Sequence, residues 1–277
     1  MLQAERNITP MDQTLSPPGR LDLGYIFKQY FEIVPAFSSA LKNEVYRLRH
    51  QVYCEDLKFE PIRPDGHETD EHDRNSLHLL MRSVKTNEFI GCTRIVCSRP
   101  EDLHYQFPFE KTCAAVLNRS IIDPATLPRH RIAEVSRLAV VAGYRRRKGE
   151  VKSTISITDK DFDTSKQPRF PFIPIGLYLG TTELARLNGI DTLFVLTEER
   201  LASHFGKLGF KLQYIGGPVE HHGERFPSMM NVNGIINNMR NNFRPLYHTI
   251  AKDIERATKA INVFQGFPNT ASETRPK

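Results

Sequence analysis

The order in which hydrophobic periods change along this chain narrows its fold more than any single motif does. Apolar residues first recur at helical spacing in "FSSALKNEVYRLRHQVYCED", where Leu41, Val45, Leu48 and Val52 form one stripe. Two runs with strand character follow, "SLHLLMRSV" and "EFIGCTRIVC", joined across "KTNE" as a hairpin, and "RIAEVSRLAVV" is a third. From there helices and strands alternate. "PIGLYLGTTELARLNGI" reads as a helix stopped at Asn188-Gly189, and "DTLFVLT" as a buried strand. "TEERLASHFGKLGF" is predicted as a helix capped by Thr197, with Leu201, Phe205 and Leu208 facing inward and Gly209 ending it. "FKLQYIGG" and "SMMNVNGI" read as strands, and a last helix is expected over 237–264. Consecutive strands followed by alternation predict a mixed sheet of the α+β class, not a doubly wound one.

At 277 residues, 39% of them hydrophobic, the chain can bury a core for one substantial domain or two small ones. It contains no run of eighteen apolar residues, and its first residues lack the apolar centre of a signal peptide, so a cytoplasmic protein without a transmembrane segment is expected. Residues 1–20 read as a disordered leader, 265–277 as a tail, and about 144–170 as a polar insertion. The four cysteines form no CxxC pair and read as reduced, space-filling thiols. The net charge of +6 is most concentrated in "YRRRKGEVK", either a solvated loop or a surface for an acidic partner. No zinc-finger, RNP or helix-turn-helix pattern supports nucleic acid as that partner.

Chemistry concentrates in "HETDEHD", where six of the seven residues from His67 to Asp73 are acidic or imidazole. A metal site, a solvated loop and a pocket for a cation are all open. The histidines are five apart, not in the HExxH spacing of zinc proteases, and the acids do not occupy calcium-loop positions. Strand alternation puts Glu134 and Ser136 on one face and turns Arg137 to the other, with Val135. Arg94 shares a face with Cys92 and Val96. A charge within a half-apolar strand is costly to bury alone, so Arg94, Glu134 and Arg137 need partners, for which Asp70 and Asp73 are candidates. In "GGPVEHHGERFP", His221 and His222 are adjacent, and two neighbours on a strand cannot both face one site.

Four segments in order, "VYRLRHQVYCEDLKFE", "HETDEHD", "IGCTRIV" and "IAEVSRLAV", resemble the acyl-homoserine lactone synthases and their relatives among the GNAT-type N-acyltransferases. The resemblance covers roughly residues 40–140. The later "LFVLTEERLASHFGKLGFKLQYIGGPVEHHGERFP" is similar to the exosortase/PEP-CTERM-associated acyltransferases, a branch related to both the lactone synthases and the N-acyl amino acid synthases. It implies a GNAT-like domain over 21–236, with a central twisted mixed sheet flanked by helices. It also implies that Arg49, Tyr53 and Phe59 shape the site and that Glu68, Asp70 and Asp73 form its acidic loop. Arg94 would be its strand arginine, and Glu134, Ser136 and Arg137 its E-x-S-R motif. Phe59 departs from the tryptophan usual in the lactone synthases, which bears on the acceptor.

The activity so implied is transfer of a fatty acyl group from a thioester to the amine of a small acceptor such as an amino acid. The thioester lies along "AEVSRLAV", and Glu68, Asp70 or Glu134 holds the acceptor ammonium and draws off its proton, because an ammonium cannot attack a carbonyl. Backbone N–H groups stabilise the oxyanion. Arg94 and Arg137 bind the acceptor's carboxylate or order the acidic loop. Neither a covalent intermediate nor a bound cofactor or metal is needed. "VAGYRRRKGEVK" lacks the Q/R-x-x-G-x-G/A pattern with which CoA-using relatives cradle pyrophosphate. An acyl carrier protein is therefore favoured over CoA as donor, with Arg145, Arg146, Arg147 and Lys148 as its docking surface. The alternatives are an acyl-homoserine lactone synthase and a non-catalytic acyl-carrier-binding module of an exosortase/PEP-CTERM system.

Overall fold

The computed structural model describes residues 22–102, 104–145 and 171–264. The expected leader 1–20 and tail, most of the polar insertion, and Arg146, Arg147 and Lys148 lie outside the described residues.

A mixed eight-stranded sheet forms the centre. Its strands are β1 (Phe31–Pro35), β2 (Ser76–Ser83), β3 (Phe89–Val96), β4 (Ile132–Val140), β5 (Thr192–Thr197), β6 (Gln213–Tyr214), β7 (Val219–Glu220) and β8 (Glu224–Asn231). The spatial order is β1-β2-β3-β4-β5-β8-β6, with β7 paired to β8. Every pairing is antiparallel except β4 with β5. That parallel pairing covers only Ile132–Val135 against Thr192–Val195, although β4 continues to Val140. Beyond Val135 the two strands part, and the gap between them is where the site forms.

The helices divide between the faces. The principal core unites Leu79, Met81, Leu177, Leu193, Leu246 and Ile250. It packs α1 (Leu23–Tyr30), α5 (Phe172–Leu187), α7 (Val232–Asn238) and α8 (Arg244–Phe264) against one face. On the other face α2 (Ser39–Arg49) presents the expected stripe: Val45 and Leu48, with Val52 just beyond the helix, pack on Leu80, Cys92 and Ala139. Each such side chain, fully buried, contributes about 1.5–3 kcal/mol. α2 passes into a π-helical turn over His50–Asp56, where the N–H of Leu57 reaches back to the carbonyl of Val52 at 3.0 Å. Such turns re-phase the side chains that follow. Among the described residues no helix is long and apolar enough to cross a membrane.

The observed elements amend several expectations. α1 and β1, over residues 23–35, precede the first helix recognised in the sequence; Asp22 caps α1 through the N–H groups of Gly24 and Tyr25. Three short elements, α3 (Pro108–Thr112), α4 (Ala142–Arg145) and the two-residue β7, were not foreseen. The cap of α6 (Glu199–Leu208) falls one residue later than expected: Thr197 ends β5, and Glu198 occupies the cap position without a side-chain bond. Gly209 ends α6 as expected, with φ of +90°. The strand expected in "SMMNVNGI" stops at Asn231, whose side chain accepts the N–H of Gly234 at 2.7 Å and starts α7. The last helix therefore begins at Arg244 instead of near 237.

Candidate active site

Two buried arginines and a half-buried third organise the acidic loop. Arg49, at the end of α2, donates Nε–H to Glu68 and grips both oxygens of Asp73, at 2.6 and 3.2 Å. Arg94, on β3, reaches Asp70 at 2.6 Å, Asp73 at 3.0 Å and the Ser136 hydroxyl at 3.0 Å. Arg137 reaches Glu68 at 3.2 Å, Glu60 at 3.4 Å and Asp70 at 3.5 Å. Arg49 and Glu68 are fully buried, Arg94 and Asp73 nearly so. Burial opposes ionisation of Glu68, Asp70 and Asp73. Their arginine partners outweigh it and hold all three carboxyls below their ordinary range. The loop from 68 to 73 is thus fixed in its ionised form, because removing either partner strands a buried charge.

Arg137 joins this network through a departure from strand geometry. Register between β3 and β4 passes from Cys92↔Ala139 to Arg94↔Ser136, two residues against three, which places a bulge in β4. Arg137 has φ of +52° there. The extra residue turns its guanidinium onto the same face as Ser136, where simple alternation had turned it away. Tyr53 supports the bulge: its hydroxyl donates to the Leu138 carbonyl at 2.9 Å, and Arg137 lies 5.6 Å from its ring centroid.

Glu134 is different in kind. It is 4% exposed and accepts a hydrogen bond from the Phe109 N–H at 2.8 Å. Burial pushes its pKa up to about 7, against the pull of that N–H and of Arg94 and Arg137. It makes no ion pair among the described residues, so it is a carboxyl free to exchange a proton near neutrality.

These groups meet at a cavity of about 410 Å³. Its lining comes from both faces of the sheet: Asp70, Arg94, Glu134, Ser136 and Arg137 from the α2 side, and Leu193, Val195, Tyr178, Leu201 and Phe205 from the α5 side. The cavity therefore passes through the gap where β4 leaves β5. One side is polar and carries a titrating carboxyl; the other is apolar. Tyr53 and Phe59 line it too, whereas Arg49, Glu68 and Asp73 stand behind as supports. Glu68, with its oxygens bonded to Arg49 and Arg137 and no exposure, is not placed to take a proton from a substrate.

Other positions differ from expectation. His221 and His222 both line the cavity, because they lie in the β7–β8 turn, where His222 has φ of +54°. The His222 ring stacks on Phe59, 4.6 Å between centroids and 9° between planes. Arg145 is buried and paired with Asp56 at 3.1 Å, which takes it out of the basic surface expected to meet a carrier. His72, weighed in the sequence only as a metal ligand, lines the cavity. Cys54, Cys92 and Cys113 are buried free thiols, and Cys97 is partly so. Among the described residues no group of histidine, cysteine and acidic side chains is arranged to hold a metal.

Residues 48–153 match the family model described as Acetyltransferase (GNAT) domain. With the mixed sheet and its parting parallel pair, this defines the class: an acyltransferase on the GNAT fold. Among similar solved structures is the AHL synthase LasI, with a TM-score of 0.51 and 18% identity over 79% of this chain and 95% of that one. The CoA-dependent acyl-homoserine lactone synthase BjaI, solved with SAM and isopentyl-CoA, has a TM-score of 0.50 and 18% identity over 90% and 94%. MesI, another CoA-dependent acyl-homoserine lactone synthase, has a TM-score of 0.51 and 18% identity over 78% and 94%. Likeness at this identity concerns the fold. No curated protein matches the chain by sequence.

Proposed function

We propose that the chain transfers a fatty acyl group from a carrier thioester to the amine of a small acceptor, with Glu134 as general base. The observation that carries this reading is a buried carboxyl with a pKa of about 7 at the polar side of a cavity whose other side is apolar. The acyl chain lies against Leu193, Val195 and Phe205. The thioester carbonyl sits at the β4 bulge, where a backbone N–H taken out of the ladder is available to its oxygen. The acceptor enters as an ammonium attracted by Asp70. Glu134 takes its proton, and the free amine attacks the carbonyl carbon. Glu68 and Asp73 position the arginines, and Ser136 fixes Arg94.

We favour acyl carrier protein over CoA as donor, on the missing pyrophosphate loop and the basic run at 146–148. We place the reaction in the cytoplasm, and its association with an exosortase/PEP-CTERM system rests on the sequence resemblance. The test is thiol release from acyl carrier protein and from acyl-CoA with a panel of amines, with the product mass determined. Loss of about 10²–10⁴ in rate on Glu134→Gln is expected. A homoserine lactone head group in the product would redirect the assignment to a lactone synthase. Thiol release at the wild-type rate in Glu134→Gln would remove the proposed base.

A further inference from the structure

Making an amide from a thioester and an ammonium releases a proton. The C–S bond breaks and the C–N bond forms. Of the ammonium's three N–H protons, one stays on the amide, one ends on the thiol and one must reach solvent. A base as enclosed as Glu134 therefore has to be reset in every cycle. This argument rests on the acyl-transfer reading above.

One short segment links Glu134 to the rim of the cavity. Phe109 supplies the N–H that holds the Glu134 carboxylate. Four residues earlier, the Tyr105 hydroxyl lies 2.7 Å from Nδ1 of His72. Two residues later, Lys111 Nζ lies 3.9 Å from the carboxylate of Glu71. The other nitrogen of His72, Nε2, is 3.7 Å from that same carboxylate, whose side chain is 65% exposed. His72 and Glu134 line the same cavity. We propose that His72, oriented by Tyr105, relays the proton taken up by Glu134 through the solvent of the cavity to the surface at Glu71.

The surroundings suit a group that accepts and releases a proton. Asp70 and Glu71 face His72 from its own loop, Arg94 from β3, Lys111 from α3, and Tyr105 from the segment before α3, with Arg99 4.5 Å from the Tyr105 ring centroid. Burial lowers the pKa of His72, with Asp70 and Glu71 pulling against Arg94 and Lys111, so the imidazole is a neutral acceptor at pH 7.

The experiment compares wild type, His72→Gln and Tyr105→Phe by steady-state thiol release at low and high buffer concentration, with and without imidazole. In dilute buffer both variants should lose about tenfold in kcat at an unchanged KM for the thioester, with imidazole restoring the rate and wild type indifferent to buffer. Wild-type kcat for His72→Gln in dilute buffer overturns the relay. So does a loss in both variants that neither buffer nor imidazole repairs, since that marks a structural role. Failure of the acyl-transfer reading shows separately, as no amine-dependent thiol release by the wild type from either thioester, whatever the buffer.

Discussion

Replacing Glu134 by glutamine should slow turnover by about 10²–10⁴ and stabilise the fold, and the stabilisation should depend on pH. In the folded chain burial raises this carboxyl from 4.5 to about 7. Between those values the folded state binds more protons than the unfolded one, so its stability falls as pH rises through the window and levels off above it. At about 1.36 kcal/mol per pH unit, the wild-type chain gives up on the order of 3 kcal/mol by pH 8. Glutamine keeps an oxygen for the Phe109 N–H and carries no charge, so Glu134→Gln avoids that loss. Urea unfolding of both proteins at pH 5 and pH 8 measures it. The variant's advantage should grow by about 2–3 kcal/mol between the two conditions, or about 5–10 °C in Tm. Glu68, Asp70 and Asp73 also titrate in the fold, but they are common to both proteins and cancel in the difference. An advantage equal at both pH values would refute the argument that this carboxyl is held protonated by burial. The same ionisation should appear in kcat/KM, which for the free enzyme should fall about tenfold per pH unit below 7.

Arg49→Met removes the partner shared by Glu68 and Asp73 and leaves their charges buried. Urea midpoints should report a loss of about 3–5 kcal/mol, and an unchanged midpoint would deny the network its structural role. Gly24→Val should pry α1 from α8. A Cβ at residue 24 would stand 2.4 Å from the Thr249 hydroxyl oxygen and 2.6 Å from the Pro245 carbonyl oxygen. A cost of about 1–3 kcal/mol is expected in thermal unfolding, with the pH dependence of turnover unaltered.

Much of this architecture is written locally. The stripe Val45, Leu48, Val52 declares its helix because burial of one helical face needs that period and no other. The β2–β3 hairpin, β4, α5 and β5 follow from their own periods and stops. Arg94, Glu134, Arg137 and their partners Asp70 and Asp73 could be singled out from sequence because a buried charge demands a partner, whereas Arg49 and Glu68 came with the family resemblance. What pairs with what was not local. Arg137 reaches Glu68 only because a bulge in β4 reverses its direction, and a bulge is fixed by the register of a neighbouring strand. His221 and His222 reach one cavity because a turn, not a strand, carries them. Arg145 looks like surface charge until Asp56 meets it. The sequence by itself determined the periods, the stops and the inventory of charges. Only the tertiary structure decided which carboxyl would titrate near neutrality. Glu68 and Glu134 are alike as residues, but two arginines hold one ionised while burial beside a single N–H brings the other near neutrality.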